Sequence, residues 1–478
     1  MYPFKILFIS ILSVLCLSFV EAQSTPADLL ESASSGSDVS TVNVGDNPDV
    51  FTHPTKVLTD AFNSDVKKVI VPNLGKPYIV DPILVKHGEK EIVFEPGVVI
   101  LAKKGSFKSK MDSLVRLENV KNVTLRGNGA TFRMNREDYL QDDYEPSEHR
   151  HALSIAACDG ILIEDLNVEE SGGDGVYIGG AYYHRLPVPE DSVKITWTAK
   201  DGRQVTRWEL PVSKNITIRR VVADRNHRQG LSLITGVNIL IEDCVFKNTS
   251  GTPPMHGLCI EPATLRNQLK NVVVRNCISE NNDSAGFSIY LRKLKQSSEP
   301  VDILIEDCQV RGSKGSGLIV GAIGNREDEG VSTHITFKDC LVMDTEKSGI
   351  YVYDKSYNTG EVVFQNCILW DVAKSNIGGL ISPEAAEVEN SRRLPPVAPI
   401  AFYLRRQSDL TNHFGGIFFD NCLVKDQGGR PVIGQAAYLG IKDLKISNIR
   451  GTILTTEENP TVDLGPYTSD MSLEVISQ

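Results

Sequence analysis

The chain has 478 residues, with 61 Asp and Glu against 50 Lys and Arg and a formal net charge of −11. That balance argues against nucleic acid or an anionic membrane as partner, although a local basic groove on an acidic protein still suits an anionic glycan. At this length two or three globular domains are the ordinary expectation, unless a repeat lets one core grow by stacking.

Residues 1–22 carry Lys5, then an apolar run from Ile6 to Cys16, and end in Val20-Glu21-Ala22, a small-x-small cleavage pattern. They read as a secretory signal peptide, so the protein is expected to be exported, periplasmic or extracellular. No later stretch approaches the ~20 apolar residues of a membrane span. Residues 23–47, rich in Ser, Asp, Gly and Thr, are expected to form a flexible leader. Lys56-Val-Leu-Thr-Asp-Ala-Phe62 predicts a short amphipathic helix, placed to cover the open edge of the first structural unit.

Beyond it a repeat sets the architecture. Its clearest copies are Asn238-Ile-Leu-Ile-Glu-Asp-Cys244, Asn271-Val-Val-Val-Arg-Asn-Cys277 and Asp302-Ile-Leu-Ile-Glu-Asp-Cys308. Further copies end at Cys340, Cys367 and Cys422, and weaker ones start at Asn122, Gly160 and Asn215. The cysteines are spaced by 33, 31, 32, 27 and then 55 residues, one coil each and about two at the last step. Within a copy, four alternating positions are followed by a polar pair that bends the chain and then by a short apolar strand. This is strand periodicity, without an intervening helical pattern. A parallel β-helix over residues 48–460 follows, its coils stacked ~4.8 Å apart. Insertions are expected at 181–213 and 376–414, and a tail at 461–478. Cys244, Cys277, Cys308, Cys340, Cys367 and Cys422 are expected as an interior ladder of free thiols rather than disulfides, with Cys158 and Cys259 off it.

With its cap helix, Val69-Ile-Val-Pro72, Gly75 and Tyr78 ahead of the coils, the chain resembles the pectin-lyase-like right-handed β-helix superfamily over roughly residues 55–455. The resemblance implies an all-β, right-handed parallel β-helix. That fold carries hydrolases, lyases, epimerases and binding proteins, so activity has to be read from the site.

A second strand in each coil starts at a glycine, as in Gly175-Val-Tyr-Ile-Gly179, Gly230-Leu-Ser-Leu-Ile234, Gly257-Leu-Cys-Ile-Glu261, Gly286-Phe-Ser-Ile-Tyr290 and Gly349-Ile-Tyr-Val-Tyr353. Alternation sends Tyr177, Ser232, Cys259, Glu261, Ser288, Tyr290, Tyr351 and Tyr353 outward. Asp174, His227, Arg228, Gln229 and His256 occupy the turns just before these strands, and Arg292 lies just beyond Tyr290. Such a stripe offers aromatic faces for sugar C–H groups and fixed donors for hydroxyls, which is what a saccharide chain laid across coils requires. Tyr177, Gln229, His256, Tyr290, Arg292 and His151 are therefore expected to bind substrate. The first insertion adds Trp197 and Trp208 on a hairpin turning at Asp201-Gly202, expected as a wall over the stripe.

Asp174 and Glu261 lie two coils apart, ~9–10 Å at backbone level. Side chains can shorten this into the ~6.5–9.5 Å of inverting glycosidases. The expectation is an exported polysaccharide-degrading glycoside hydrolase with Asp174 and Glu261 as its carboxylate pair, acid and base unassigned, and His227 and Arg228 in the catalytic group. Among related families polygalacturonases are similar in fragments: Asp174, His227, His256 and Leu291-Arg292-Lys293. Two other readings stay open, a lyase or C5-epimerase acting on uronic acid through Arg228, Arg292 and His227, and a non-catalytic glycan binder. No metal or other cofactor is expected; His149 and His151 share a face as a metal pair does, but further spaced ligands are missing.

Overall fold

The structure, a computed structural model, describes residues 40–180, 182–183, 192–199, 201–209, 211–324, 330–374, 398–404, 413–426, 428–437, 445–464 and 468–478. The expected signal peptide at 1–22 and the leader up to residue 39 lie outside the described residues, as do the basic pairs Arg392/Arg393 and Arg405/Arg406. Among the described residues two long parallel sheets, of 21 and 12 strands, run side by side, and a three-stranded antiparallel sheet projects from them. Successive coils pair in parallel and in register: Val176 faces Leu153 on one side and Leu231 on the other, and Leu231 faces Leu258, which faces Phe287. This is a parallel β-helix.

The repeat explains the coil. The residue ahead of each ladder cysteine (Asp243, Asn276, Asp307, Asp339, Asn366, Asn421) has a left-handed backbone, with φ between 50° and 56°. Asn and Asp tolerate that region better than other side chains, so the Asx-Cys pair is the coil's corner. These corners also bond to one another along the stack: Asn276 Nδ2 donates to Asp243 Oδ1 at 2.5 Å, and Asn366 Nδ2 to Asp339 Oδ1 at 2.9 Å. A second rail starts each copy, where Asn271 donates to Asn238 and Asn238 to Asn215 at 3.0 and 2.9 Å. All eight described cysteines are buried and free, and the Cys277 thiol donates to the Arg275 carbonyl at 3.2 Å. The inward residues of the glycine-led strands, Val176, Ile178, Leu231, Leu233, Leu258, Ile260, Phe287, Ile289, Ile350 and Val352, are fully buried.

The stack is longer than expected at both ends. Thr41–Asn43, placed by sequence in the leader, pairs in parallel with Lys68–Val71, and Val42 packs on the core. Thr468–Ser477, placed in a tail, pairs with Lys445–Thr455, with Met471, Leu473 and Val475 on the core side. The alternation of those three residues builds one more rung. Ile400–Leu404, inside the expected second insertion, is likewise a regular strand beside Ile350 to Tyr353, because Ile400, Phe402 and Leu404 all face the core. The helix Pro54–Phe62 covers the first rungs, burying Val57, Leu58, Ala61 and Phe62.

Candidate functional site

The site lies on the outward face of the 12-stranded sheet, over the strands at 153–156, 176–179, 229–233 and 256–260. The turn before the Gln229–Leu233 strand is held by Asn226, whose Oδ1 accepts the Ser171 N–H at 3.1 Å and whose Nδ2 donates to the Val168 carbonyl at 3.3 Å. That brace ties the turn carrying Asp174 to the turn carrying Arg228. Residues 148–150 run back against 172–173 through an antiparallel bridge between Arg150 and Gly172. A Cβ at Gly173 would stand 2.5 Å from the Glu148 carbonyl, so only glycine admits this approach.

Three carboxylates meet at Arg228. Its Nε donates to Glu148 Oε2 at 3.0 Å, Nη1 lies 3.4 Å from Asp174 Oδ1 and Nη2 lies 3.7 Å from Glu261 Oε2. The guanidinium is only 14% exposed. Ser232, Cys259 and Ser288, expected to face outward, do so but are fully buried, because their small side chains form the floor beneath this cluster and its aromatic neighbours. Cys259 lies close enough to Arg228, Glu261 and Asp174 to feel their charges.

The carboxylates differ in access. Asp174 is completely buried, whereas Glu148 and Glu261 are 40% and 44% exposed. The pair expected from sequence, Asp174 and Glu261, is thus brought together, but the two carboxylates that reach solvent are Glu148 and Glu261. Burial pushes the Asp174 carboxyl up to about 6 against the pull of Arg228. Burial also raises Glu261, with Arg228 opposing and Glu148 reinforcing the rise. Asp174 Oδ2 has no hydrogen-bond partner and lies 3.4 Å from His151 Nδ1, which already accepts the Asp174 backbone N–H at 3.1 Å. Two acceptors facing each other in a dry site favour a proton on Asp174, in keeping with its raised pKa.

Two of the expected histidines, His151 and His256, are buried beside the cluster. His151 is buried, held neutral by burial and by His149, Arg228 and Arg116, and stacks on Tyr177 with ring centroids 4.6 Å apart. His256 is buried, accepts the Ala285 N–H at Nδ1 (2.9 Å) and meets the Tyr290 hydroxyl through Nε2 (2.9 Å). Its pKa falls to about 3 through burial, with Arg228 adding to the effect. Gln229, also buried, accepts the His256 N–H at 3.1 Å and links the two coils. Tyr177 and Tyr290, half-buried, flank the carboxylates. Beyond Tyr290 the ring row continues to Tyr353 (5.9 Å), Tyr351 and Tyr403, of which Tyr353 and Tyr403 are buried.

Four sequence candidates fall elsewhere. His227 points away from Arg228, with Nε2 bonded to Thr252 Oγ1 at 2.8 Å. Arg292 is exposed beyond the Phe287–Tyr290 strand. Trp197 and Trp208 lie on the antiparallel strands Val193–Thr198 and Gln204–Glu209, with Arg207 over the Trp197 ring at 5.0 Å. That hairpin is tied to the turn just after Glu261, where Thr264 Oγ1 donates to Glu209 Oε1 at 2.7 Å and Arg266 lies 3.5 Å from Glu209 Oε2. Sequence reasoning left Glu148 without a role, and the signal for it was weak: the residue sits in a loop with no strand parity to show its direction.

Residues 210–391 match the family model described as a right handed beta helix region. The A-module of a mannuronan C-5 epimerase from Azotobacter vinelandii superposes with a TM-score of 0.52 at 13% identity, covering 91% of this chain and 99% of that one. The chain has the right-handed parallel β-helix fold. The catalytic unit of a GH87 α-1,3-glucanase from Streptomyces thermodiastaticus is also similar to this β-helix, with a TM-score of 0.51 at 12% identity, covering 94% of this chain and 70% of that one. At such identities the likeness is one of fold. Comparison of the sequence with curated proteins gives no match. No helix among the described residues is long and apolar enough to cross a membrane.

Proposed function

We propose that this β-helix is an exported glycan-cleaving enzyme, a glycoside hydrolase whose working carboxylates are Glu148 and Glu261. The observation that carries the reading is the convergence of Glu148, Asp174 and Glu261, from three coils, on the single guanidinium of Arg228, with His151, stacked on Tyr177, 3.4 Å from Asp174. Two carboxyl groups on one outward face can supply an acid and a base. Sharing one guanidinium keeps them no further apart than the roughly 6.5–9.5 Å of inverting glycosidases.

Glu261 is the general acid. Burial and the neighbouring Glu148 favour its protonated form, and its half-exposed carboxyl can reach a glycosidic oxygen. Glu148, oriented by the Arg228 Nε–H, is the base that activates water. Asp174 touches no ligand from its buried position; it orients Arg228, and with it both working groups. Tyr177 and Tyr290 offer ring faces to the sugars. A uronate-directed lyase or epimerase needs a cation for the sugar carboxylate; Arg228 is already shared by three carboxyl groups, which leaves Lys293, close enough to lower the Glu261 pKa, as the cation for that reading.

Replacing Glu261 by Gln is expected to lower turnover by about 10²–10⁴-fold with the fold intact. It also removes the alkaline limb of the pH profile, since the acid is lost as pH rises through the Glu261 pKa. Turnover retained in E261Q, with an unchanged profile, overturns the assignment.

A further inference from the structure

A cleft of about 660 Å³ adjoins the carboxylate cluster and is used by none of the roles above. One wall is the 139–149 loop, the other is His227 and Thr252, and Glu148 belongs to both the cleft and the cluster. The volume is that of an ordinary small-ligand site, roughly 300–1,000 Å³.

Both walls are built in advance. Arg150, completely buried, spends its guanidinium on the loop: it donates to the carbonyls of Phe107 (2.9 Å), Lys108 (3.1 Å) and Glu145 (2.7 Å). It also packs 5.6 Å from the ring centroids of Tyr139 and Tyr144. The opposite wall is fixed by the bond between His227 and Thr252, and Arg136 crosses to the Arg225 carbonyl at 3.2 Å. A buried arginine holding a surface loop in one shape preorganises that loop for a ligand.

The chemistry of the lining selects the ligand. Leu140 is 55% exposed, and with Pro146 it offers an apolar face. Gln141 adds its amide, while the Ser147 hydroxyl is spoken for by the Lys110 carbonyl (2.6 Å) and that of Thr252 by His227. Glu148 is paired with Arg228 and Lys110 with Glu145 at 3.7 Å, so the lining carries at most one net negative charge, from Asp142. Apolar faces with a neutral amide, in a lining without net positive charge, fit sugar rings without carboxylates.

We propose that this cleft is a subsite for uncharged sugar units, so that the substrate is a neutral glycan held on the Glu148 side of the scissile bond. The proposal rests on the hydrolase reading for the scissile bond, but binding in the cleft is measurable without turnover.

The test is calorimetric titration of the full chain, as wild type and as E261Q, with cello- and xylo-oligosaccharides and with oligogalacturonides of matched lengths. A neutral series is expected to bind more tightly as it lengthens and more tightly than the oligogalacturonides. The double variant Leu140→Ala, Gln141→Ala is expected to bind long neutral chains roughly fivefold or more weakly, and short ones less affected. Stronger binding of oligogalacturonides, no binding of either neutral series, or identical affinities in the double variant overturns the proposal. Neutral binding that depends on Leu140 and Gln141 but yields no cleavage leaves the subsite standing and removes the hydrolase.

Discussion

His256 has both ring nitrogens committed between two coils, Nδ1 to the Ala285 N–H and Nε2 to Tyr290. Its pKa falls from the usual 6.5 to about 3, mainly through burial. A base depressed in this way contributes stability that is present above pH ~6.5 and lost as pH falls toward 3, because the unfolded chain takes up the proton first. Asp174 acts oppositely: its carboxyl, raised from 3.8 to about 6, contributes stability that is lost as pH rises through that window. The displacement of His256 is the larger, and His151, His149 and His227 are also depressed, so acid destabilisation is expected to win. The urea midpoint should therefore fall as pH drops from 6.5 to 4. His256→Asn keeps an acceptor for the Ala285 N–H and should show a shallower fall; a slope equal to wild type contradicts this role. The same residues show where sequence reading stops. Asp174 and Glu261 were visible because strand parity and turn position gave their direction, whereas nothing local says that Asp174 lies under Arg228. His256 and Gln229 looked like ligand groups, and nothing local showed that both ring nitrogens of His256 and the Oε1 of Gln229 bond within the protein.

At the level of the coil, the corners and the ladder were legible because they are local. An Asx followed by Cys at nearly regular intervals carries both the left-handed corner and the small interior residue. The terminal rungs at 41–43 and 468–477 were not, since neither ends in that pair and one rung alone has no repeat to betray it. Lys355, at the end of the Ile350–Lys355 strand, was equally silent. It is buried, and its ammonium donates to the Ser356 carbonyl (2.8 Å), Thr359 Oγ1 (3.0 Å) and the Gly360 carbonyl (2.9 Å). Burial brings its pKa down to about 7, with Glu361 opposing. The lysine closes a turn in which the Ser356 carbonyl also accepts the Thr359 hydroxyl at 2.8 Å, at the point where Gly416 of the next coil passes its Nζ. Lys355→Ala leaves those acceptors buried and a cavity beside them, and is expected to cost about 3 kcal/mol in chemical unfolding. An unchanged midpoint would show that the turn holds itself.

Across the whole molecule, a stack of coils turns separate short segments into one continuous face. Glu148, Asp174, Arg228 and Glu261 are spread over 113 residues of sequence, and parallel in-register pairing brings them to one place. The stack was readable because every coil repeats the same solution, while the site was readable only in outline because it depends on a loop crossing back and on which side chains cover which. The carboxyl groups around Arg228 and the lining of the neighbouring cleft favour a sugar polymer without carboxylates. Product analysis after incubation with matched neutral and uronate-containing polysaccharides tests this most directly, by following new reducing ends and the ultraviolet absorbance of unsaturated sugars together. Hydrolysis by Glu148 and Glu261 predicts reducing ends from a neutral glycan, without an ultraviolet signal. Unsaturated or isomerised uronate products, or no product from any polymer, would contradict it.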